Sequence, residues 1–340
     1  MDADQIVRLI IGVLPVLLFL SSLSLMDSYK LVPKWRIYGA IAAGAIAAAI
    51  CYQFNTFIFQ RAAQSQDRYA SLGAPVVEEL AKSAYWIFLV ATARVAFLVD
   101  SAICGFAAGA GFALIENIFY LHVLEGKSIG VWLLRGFGTA VMHGGVAALG
   151  AMISVYLAET RQWRGLRQFG PGVLCAIALH SLFNQGILSP IASTAITLAG
   201  LPLILVLTFH LSERSLRQWL GGKMDRDLDM LNMIDRGEFH QTRSGAYLLS
   251  LNEAFPAEVR ADMLCLLHLN IELSVRAKSD LLFREAGLEP PPDPDLENHL
   301  KELQYLEKSI GPTGMLALRP LLSRTPRDLW EMHHLSEQRR

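Results

Sequence analysis

The sequence predicts an all-α fold: a polytopic membrane helix bundle of about seven spans, followed by a C-terminal helical cytoplasmic region. Three observations carry this. The 340 residues are 53% hydrophobic and only 18% charged, with a mean hydropathy of +0.35, too apolar for an ordinary soluble domain. Apolar runs near the ~20 residues that cross a bilayer recur along the first 211 residues. Beyond them charge returns, and apolar residues take helical spacing. The net charge of −1 gives no electrostatic case for a nucleic-acid partner.

In chain order the runs fall at 6–25, 37–59, 72–90, 96–121, 131–157, 172–188 and 191–211. The first has Arg8 among Asp2 and Asp4 and no small-residue cleavage site, so it reads as a span rather than a removable leader. Ser189-Pro190 separates the last two by a very short connection, which could let them pass for one long span. Lys30, Lys34 and Arg36, then Arg161, Arg164 and Arg167, then Arg214, Arg217, Lys223 and Arg226 all fall on one side of a seven-span chain. The other side has only Arg8, Arg61, Arg68, Lys127 and Arg135. The bias predicts a multi-pass protein of the cell membrane with its N-terminus outside and its C-terminus cytoplasmic, with Trp35 and Trp163 as interfacial anchors.

The chain thus divides into a transmembrane domain, 1–211, and a cytoplasmic helical region, 212–340. In the latter, 227–235 and 259–275 have helical spacing, and Glu289-Pro290-Pro291-Pro292-Asp293-Pro294 is a stiff break before another helix at 295–310. Its histidines, His240, His268, His299, His333 and His334, have no ligand spacing, and His122 and His210 sit at membrane borders. Cys51, Cys104, Cys175 and Cys265 form no CxxC pair and read as small buried hydrophobes. Gly105-x-x-x-Gly109 with Gly111 reads as a stripe for close helix packing.

Against this apolar background a few polar residues stand out. Glu78, Glu79 and Lys82 lie in the third span, where each ionisable group costs about 2.5 to 3.5 kcal/mol at the bilayer centre. Glu116-Asn117, His143, and His180 with Asn184 follow in the next three. At 1.5 Å per residue, all lie about 7 to 18 Å below the outer boundary. Taken singly, each could be a span-end ion pair or an interhelical hydrogen bond. Shared depth on four helices does not follow from either. Glu78 and Lys82, Phe112 and Glu116, and His180 and Asn184 are each four apart and share helix faces, with Lys82 able to neutralise one carboxylate. Adjacent carboxylates can divide acid and base work, which is hydrolytic equipment. A proton- or cation-coupled transporter also places Glu and His within spans, and a scaffold binding partners through its cytoplasmic helices is a third reading.

Glu78-Glu79-Leu80-Ala81-Lys82, Phe112-x-x-x-Glu116, His143 and His180-x-x-x-Asn184, in this order, resemble the PrsW family of intramembrane proteases, relatives of the CAAX-prenyl endopeptidase and bacteriocin-processing superfamily. The resemblance spans 72–186 and implies an intramembrane endopeptidase acting on a membrane-anchored protein, such as an anti-sigma factor, near the outer face of the lipid bilayer. It implies a catalytic set of Glu78 as water-activating base, Glu79 in support, Lys82 tuning charge, Glu116 sharing proton work, His180 and Asn184 orienting water and the oxyanion, and His143 as the third-motif histidine. The second motif ends in Glu116 where the wider superfamily usually has His. Zinc held by Glu78, Glu116, His143 and His180 is one reading of the centre; hydrolysis without a metal is the other. His-Glu-x-x-His is absent, and without tight ligand spacing the metal-free reading is favoured. No Gly-x-Ser-x motif lies in a span, and Asp100 has no second aspartate to pair with.

Overall fold

The computed structural model describes residues 3–61, 66–322 and 325–337, and among them there are helices and no strands. The chain divides into two compact units, Met1–Ser212 and Glu213–Arg340.

The first unit contains α1 (Ala3–Met26), α2 (Lys34–Arg61), α3 (Ala74–Ala91), α4 (Leu98–Val123), α5 (Val141–Thr160), α6 (Leu166–Asn184) and the start of α7 (Pro190–Asp235). Local chemistry sets several boundaries. Pro75 lies in the first turn of α3, where a missing N–H is harmless. The Asp100 carboxylate accepts from the Ala96 and Phe97 amides at 3.0 and 2.9 Å, so this buried aspartate caps α4. Ser189 accepts from the Ala192 amide at 3.2 Å just before Pro190 opens α7, and Gly186 upstream takes a φ of 63°. These features keep α6 and α7 apart as two helices.

α4 and α5 are buried along most of their length and form the centre of the unit. The glycine stripe explains how. A Cβ at Gly109 would collide with the His143 carbonyl of α5, one at Gly111 with the Ile41 carbonyl of α2, and one at Gly44 with the Ala108 carbonyl of α4. Backbones of α2, α4 and α5 therefore touch, as small-residue interfaces allow in a bilayer. This contact sets His143 beside α4. Two π-helical turns precede the polar helices: Tyr69–Gly73 runs into α3, and Leu134–Ala140 into α5.

Among the described residues, five segments are long and apolar enough to cross a membrane: Ala3–Met26, Lys34–Arg61, Leu98–Val123, Ile129–Thr160 and Pro190–Asp235. The protein is a multi-pass membrane helix bundle. Of the seven predicted spans, α3 and α6 fall outside this set. The 18 residues of α3 include Glu78, Glu79 and Lys82, and the 19 of α6 include Arg167, Gln168, His180 and Asn184. The polar residues of interest are what lower their apolarity.

In the second unit, α8 (Arg243–Ser250), α9 (Ala257–Glu285), α10 (Leu296–Leu318) and α11 (Pro326–Glu337) enclose a core that includes Met263, Leu266, Leu273, Leu306, Leu318 and Leu335. Thr242 caps α8 by accepting from the Gly245 amide at 2.9 Å. The proline-rich break separates α9 from α10, and Gly311, with a φ of 72°, kinks α10 ahead of Pro312. Cys51 and Cys104 are buried as expected, but Cys175 is half-buried and Cys265 exposed. Cys265 lies on a solvent-facing position of amphipathic α9, which its residue type alone does not reveal.

Candidate active site

The residues that stand out in the sequence meet at one place. On α3, the Lys82 ammonium donates to Glu79 Oε1 at 2.5 Å and to His143 Nδ1 at 2.9 Å. His143 Nε2 then donates to Glu116 Oε2 on α4 at 3.1 Å. On α6, His180 Nδ1 donates to the same Glu79 oxygen at 2.7 Å, and its Nε2 accepts from Asn184 Nδ2 at 3.3 Å. Glu78 Oε2 lies 3.8 Å from that Nε2. The two imidazoles meet edge to face with centroids 4.8 Å apart. Phe112 floors the site, its ring 4.5 Å from the Lys82 nitrogen.

Lys82 thus pairs with Glu79 at three residues' spacing rather than with Glu78 at four. The two glutamates are consequently unlike. Glu79 is 2% exposed and holds both Lys82 and His180. The Glu78 side chain keeps 14% exposure, and Asn55 of α2 donates to its Oε1 at 3.1 Å.

Sequence reasoning gave no site role to three residues around this cluster, Asn55, Tyr69 and Arg135. Asn55 accepts from the Tyr69 hydroxyl at 2.8 Å. Arg135 donates to Glu116 Oε2 at 3.2 Å and to Asn117 Oδ1 at 2.8 Å, and Asn117 donates in turn to the Gly12 carbonyl of α1 at 2.8 Å. Arg135 had the look of an outer-side topology charge; its guanidinium stacks on Tyr120 at 3.7 Å and braces Glu116. An amide at Asn55, two residues after Gln53 in an otherwise apolar stretch, was the available signal.

The family model described as PrsW family intramembrane metalloprotease matches residues 32–211, more than half of the chain. The chain belongs to the PrsW family. It is an intramembrane protease, and the matched region contains every residue of the cluster. Comparisons with curated proteins and with solved structures gave no match.

PrsW proteins are described as metalloproteases, which raises the question of what here could hold a metal. Glu78, His143 and His180 each offer a ligand atom, all within 4.8 Å of one another. Two imidazoles and a carboxylate are a donor set used by zinc hydrolases that keep a fourth position open. The hydrogen bond from His180 Nδ1 to Glu79 leaves Nε2 as the lone-pair nitrogen, the carboxylate–histidine arrangement that orients metal ligands. By donor type the residues fit such a group, with His143 Nδ1 joining it where Lys82 gives up its hydrogen bond there. Glu116, the fourth ligand expected from the sequence, stands outside this trio and is engaged by Arg135 and His143. The favouring of a metal-free centre rested on linear spacing, and the fold gathers the donors from three separate helices.

Proposed function

We propose that this PrsW protein hydrolyses a peptide bond in a membrane-anchored protein, an anti-sigma factor being one such substrate, at a centre in which Glu78 is the general base. The observation that carries this is the facing of Glu78 Oε2 and His180 Nε2 at 3.8 Å. That separation exceeds direct hydrogen-bond length and lies within the span of one bridging water. Glu78 takes a proton from that water as its oxygen attacks the peptide carbonyl carbon. The proton then passes to the leaving nitrogen as the C–N bond breaks. His180 orients the water through Nε2, with its ring fixed by Glu79. Asn184, exposed at the end of α6, swings the N–H that it gives to His180 Nε2 over to the developing oxyanion, which frees that nitrogen for the water. Lys82 and Arg135 hold the charge of Glu79 and Glu116 in place. With the N-terminus outside and the C-terminal unit cytoplasmic, the centre lies in the outer half of the bilayer and the cut falls near the outer face.

A metal, zinc being the type that suits these donors, would be held by Glu78, His143 and His180 and would supply Lewis-acid polarisation of the carbonyl and a more acidic water. A second reading, hydrolysis by the glutamate alone, is favoured by one contact: Lys82 already occupies the His143 Nδ1 lone pair. Elemental analysis of active, detergent-purified protein, with activity measured after chelation, separates the two. Stoichiometric metal and loss of cleavage on chelation support the metal centre; full activity in metal-free protein rules it out. The protease assignment to this site is tested by co-expressing wild type and Glu78→Gln with single-span membrane proteins. Processing by wild type alone is expected, and equal processing by both would sink it.

A further inference from the structure

Glu78 needs a fixed orientation if one of its oxygens is to address a water, yet its ionic neighbours do not supply it. Lys82 is turned to Glu79, and Arg135 to Glu116. The hydrogen bond that holds Glu78 Oε1 comes from Asn55 Nδ2. Its direction is forced by chemistry. A carboxylate only accepts, so Asn55 presents its NH₂ to Glu78 and its carbonyl to the Tyr69 hydroxyl, which donates. With Oε1 anchored in this way, Oε2 is left facing His180.

Tyr69 opens the π-turn Tyr69–Gly73. The next residue of the same turn, Ala70, accepts through its carbonyl from Asn184 Nδ2 at 3.4 Å, and Asn184 also donates to His180 Nε2. One short turn therefore reaches both sides of the site: Glu78 through Tyr69 and Asn55, His180 through Ala70 and Asn184. Gly73 lets the turn adopt this form, since a Cβ there would collide with the Tyr69 ring. π-turns are uncommon and recur at functional sites. In an apolar span, an amide with both ends satisfied by site-linked partners is also more than a stray polar residue.

We propose that Asn55 and Tyr69 are positioning residues for the proteolytic reaction, and that the π-turn Tyr69–Gly73 clamps Glu78 and His180 toward the same scissile carbonyl. This rests on the reading of Glu78 as the base. Positioning of a base alters turnover more than substrate capture.

The test uses the full chain in detergent and a quenched-fluorescent single-span peptide, taken from a co-expressed membrane protein whose processing Glu78→Gln prevents. Asn55→Leu lowers kcat by roughly 10- to 100-fold with KM unchanged, the scale of a lost hydrogen bond to a charged group. Tyr69→Phe, which keeps the ring against Gly73, lowers kcat by about tenfold. Because Tyr69 acts through Asn55, adding Tyr69→Phe to Asn55→Leu causes no further loss. Wild-type kcat in both single variants beside an inactive Glu78→Gln protein overturns the positioning role alone. So does a double variant whose losses multiply, the behaviour of two independent structural contacts. A Glu78→Gln protein that cleaves every tested membrane protein as wild type does overturns the base assignment, and this proposal with it. Should Asn55→Leu fail to fold, the kcat and KM of Tyr69→Phe decide the outcome.

Discussion

Each unit of this protein buries a lysine among carboxylates, and the two clusters are built to different ends. In the C-terminal unit Lys278 is fully buried and donates to Asp227 Oδ2 at 2.8 Å and to Ser274 Oγ at 2.5 Å, and its ammonium lies 2.8 Å from Glu331 Oε1. Ser274 donates to Glu331 Oε2 at 2.5 Å, so the network closes on itself. In the membrane unit Lys82 is 1% exposed and also central. From it, however, one arm runs through His143 to Glu116 and Arg135, and the other through Glu79 and His180 to the edge of Glu78. That arm ends on His180 Nε2, which accepts from Asn184, and on a Glu78 oxygen that faces it at 3.8 Å without bonding. A closed network of this kind contributes specificity and is costly to break, whereas an open one has bonding capacity left for a substrate. The buried lysine is common to both; the unspent carboxylate distinguishes the site.

The comparison breaks first at its most distinctive residue. Glu78→Gln keeps size and hydrogen bonding to Asn55 but removes the base, and the rate of substrate cleavage should fall by about 10²- to 10⁴-fold. Glu331→Gln, the matching change in the closed cluster, leaves cleavage at the wild-type rate. Measured side by side on one substrate, equal losses in both variants would show that burial of a glutamate, rather than its role at the open end, sets activity.

The next effect falls on stability. Lys278→Met removes the cation from between Asp227 and Glu331 and leaves their carboxylates without it. Breaking a buried pair from one side costs about 3–5 kcal/mol. We expect the C-terminal unit to unfold earlier in a thermal or denaturant melt followed through Trp330, which is 2% exposed and stacks on His334. A melt unchanged from wild type would mean that the closed network contributes little.

Much of the membrane unit was legible because insertion into lipid penalises polar residues, so Glu78, Glu79, Lys82, Glu116, His143, His180 and Asn184 stood out against their apolar runs. The fold joins all seven in one cluster. What linear spacing could not decide was pairing. Three- and four-residue separations both allow contact on a helix, so the choice of Glu79 over Glu78 by Lys82 needed the positions of His143 and His180. Arg135 looked like a topology charge because its partner, Glu116, comes from a different helix. Tyr69 and Asn55 were hidden for another reason: they meet only because the chain enters α3 through a π-turn, and periodicity of 3.6 residues carries no sign of one. The closed cluster was illegible altogether, since charged residues in an amphipathic soluble region are ordinary until the fold buries them.

The smallest expected effect is on pH dependence and bears on the closed cluster alone. Burial raises the Glu331 carboxyl above its ordinary value of 4.5, partly offset by Lys278 and by hydrogen bonds from Lys278 and Ser274. The sign follows from proton binding. Between the ordinary value and the raised one, the folded unit binds more proton at this group than the unfolded chain does, so stability from this group falls as pH rises through that window. Most paired carboxylates behave in the opposite way and lose stability as pH falls. Glu331→Gln removes the titration while keeping a hydrogen-bond acceptor for Ser274. Melting midpoints recorded between about pH 5 and about pH 8 should therefore decline less steeply in the variant than in wild type. Identical slopes would show that Lys278 and Ser274 hold Glu331 ionised throughout, which would make the cluster a plain ion pair rather than one strained by burial.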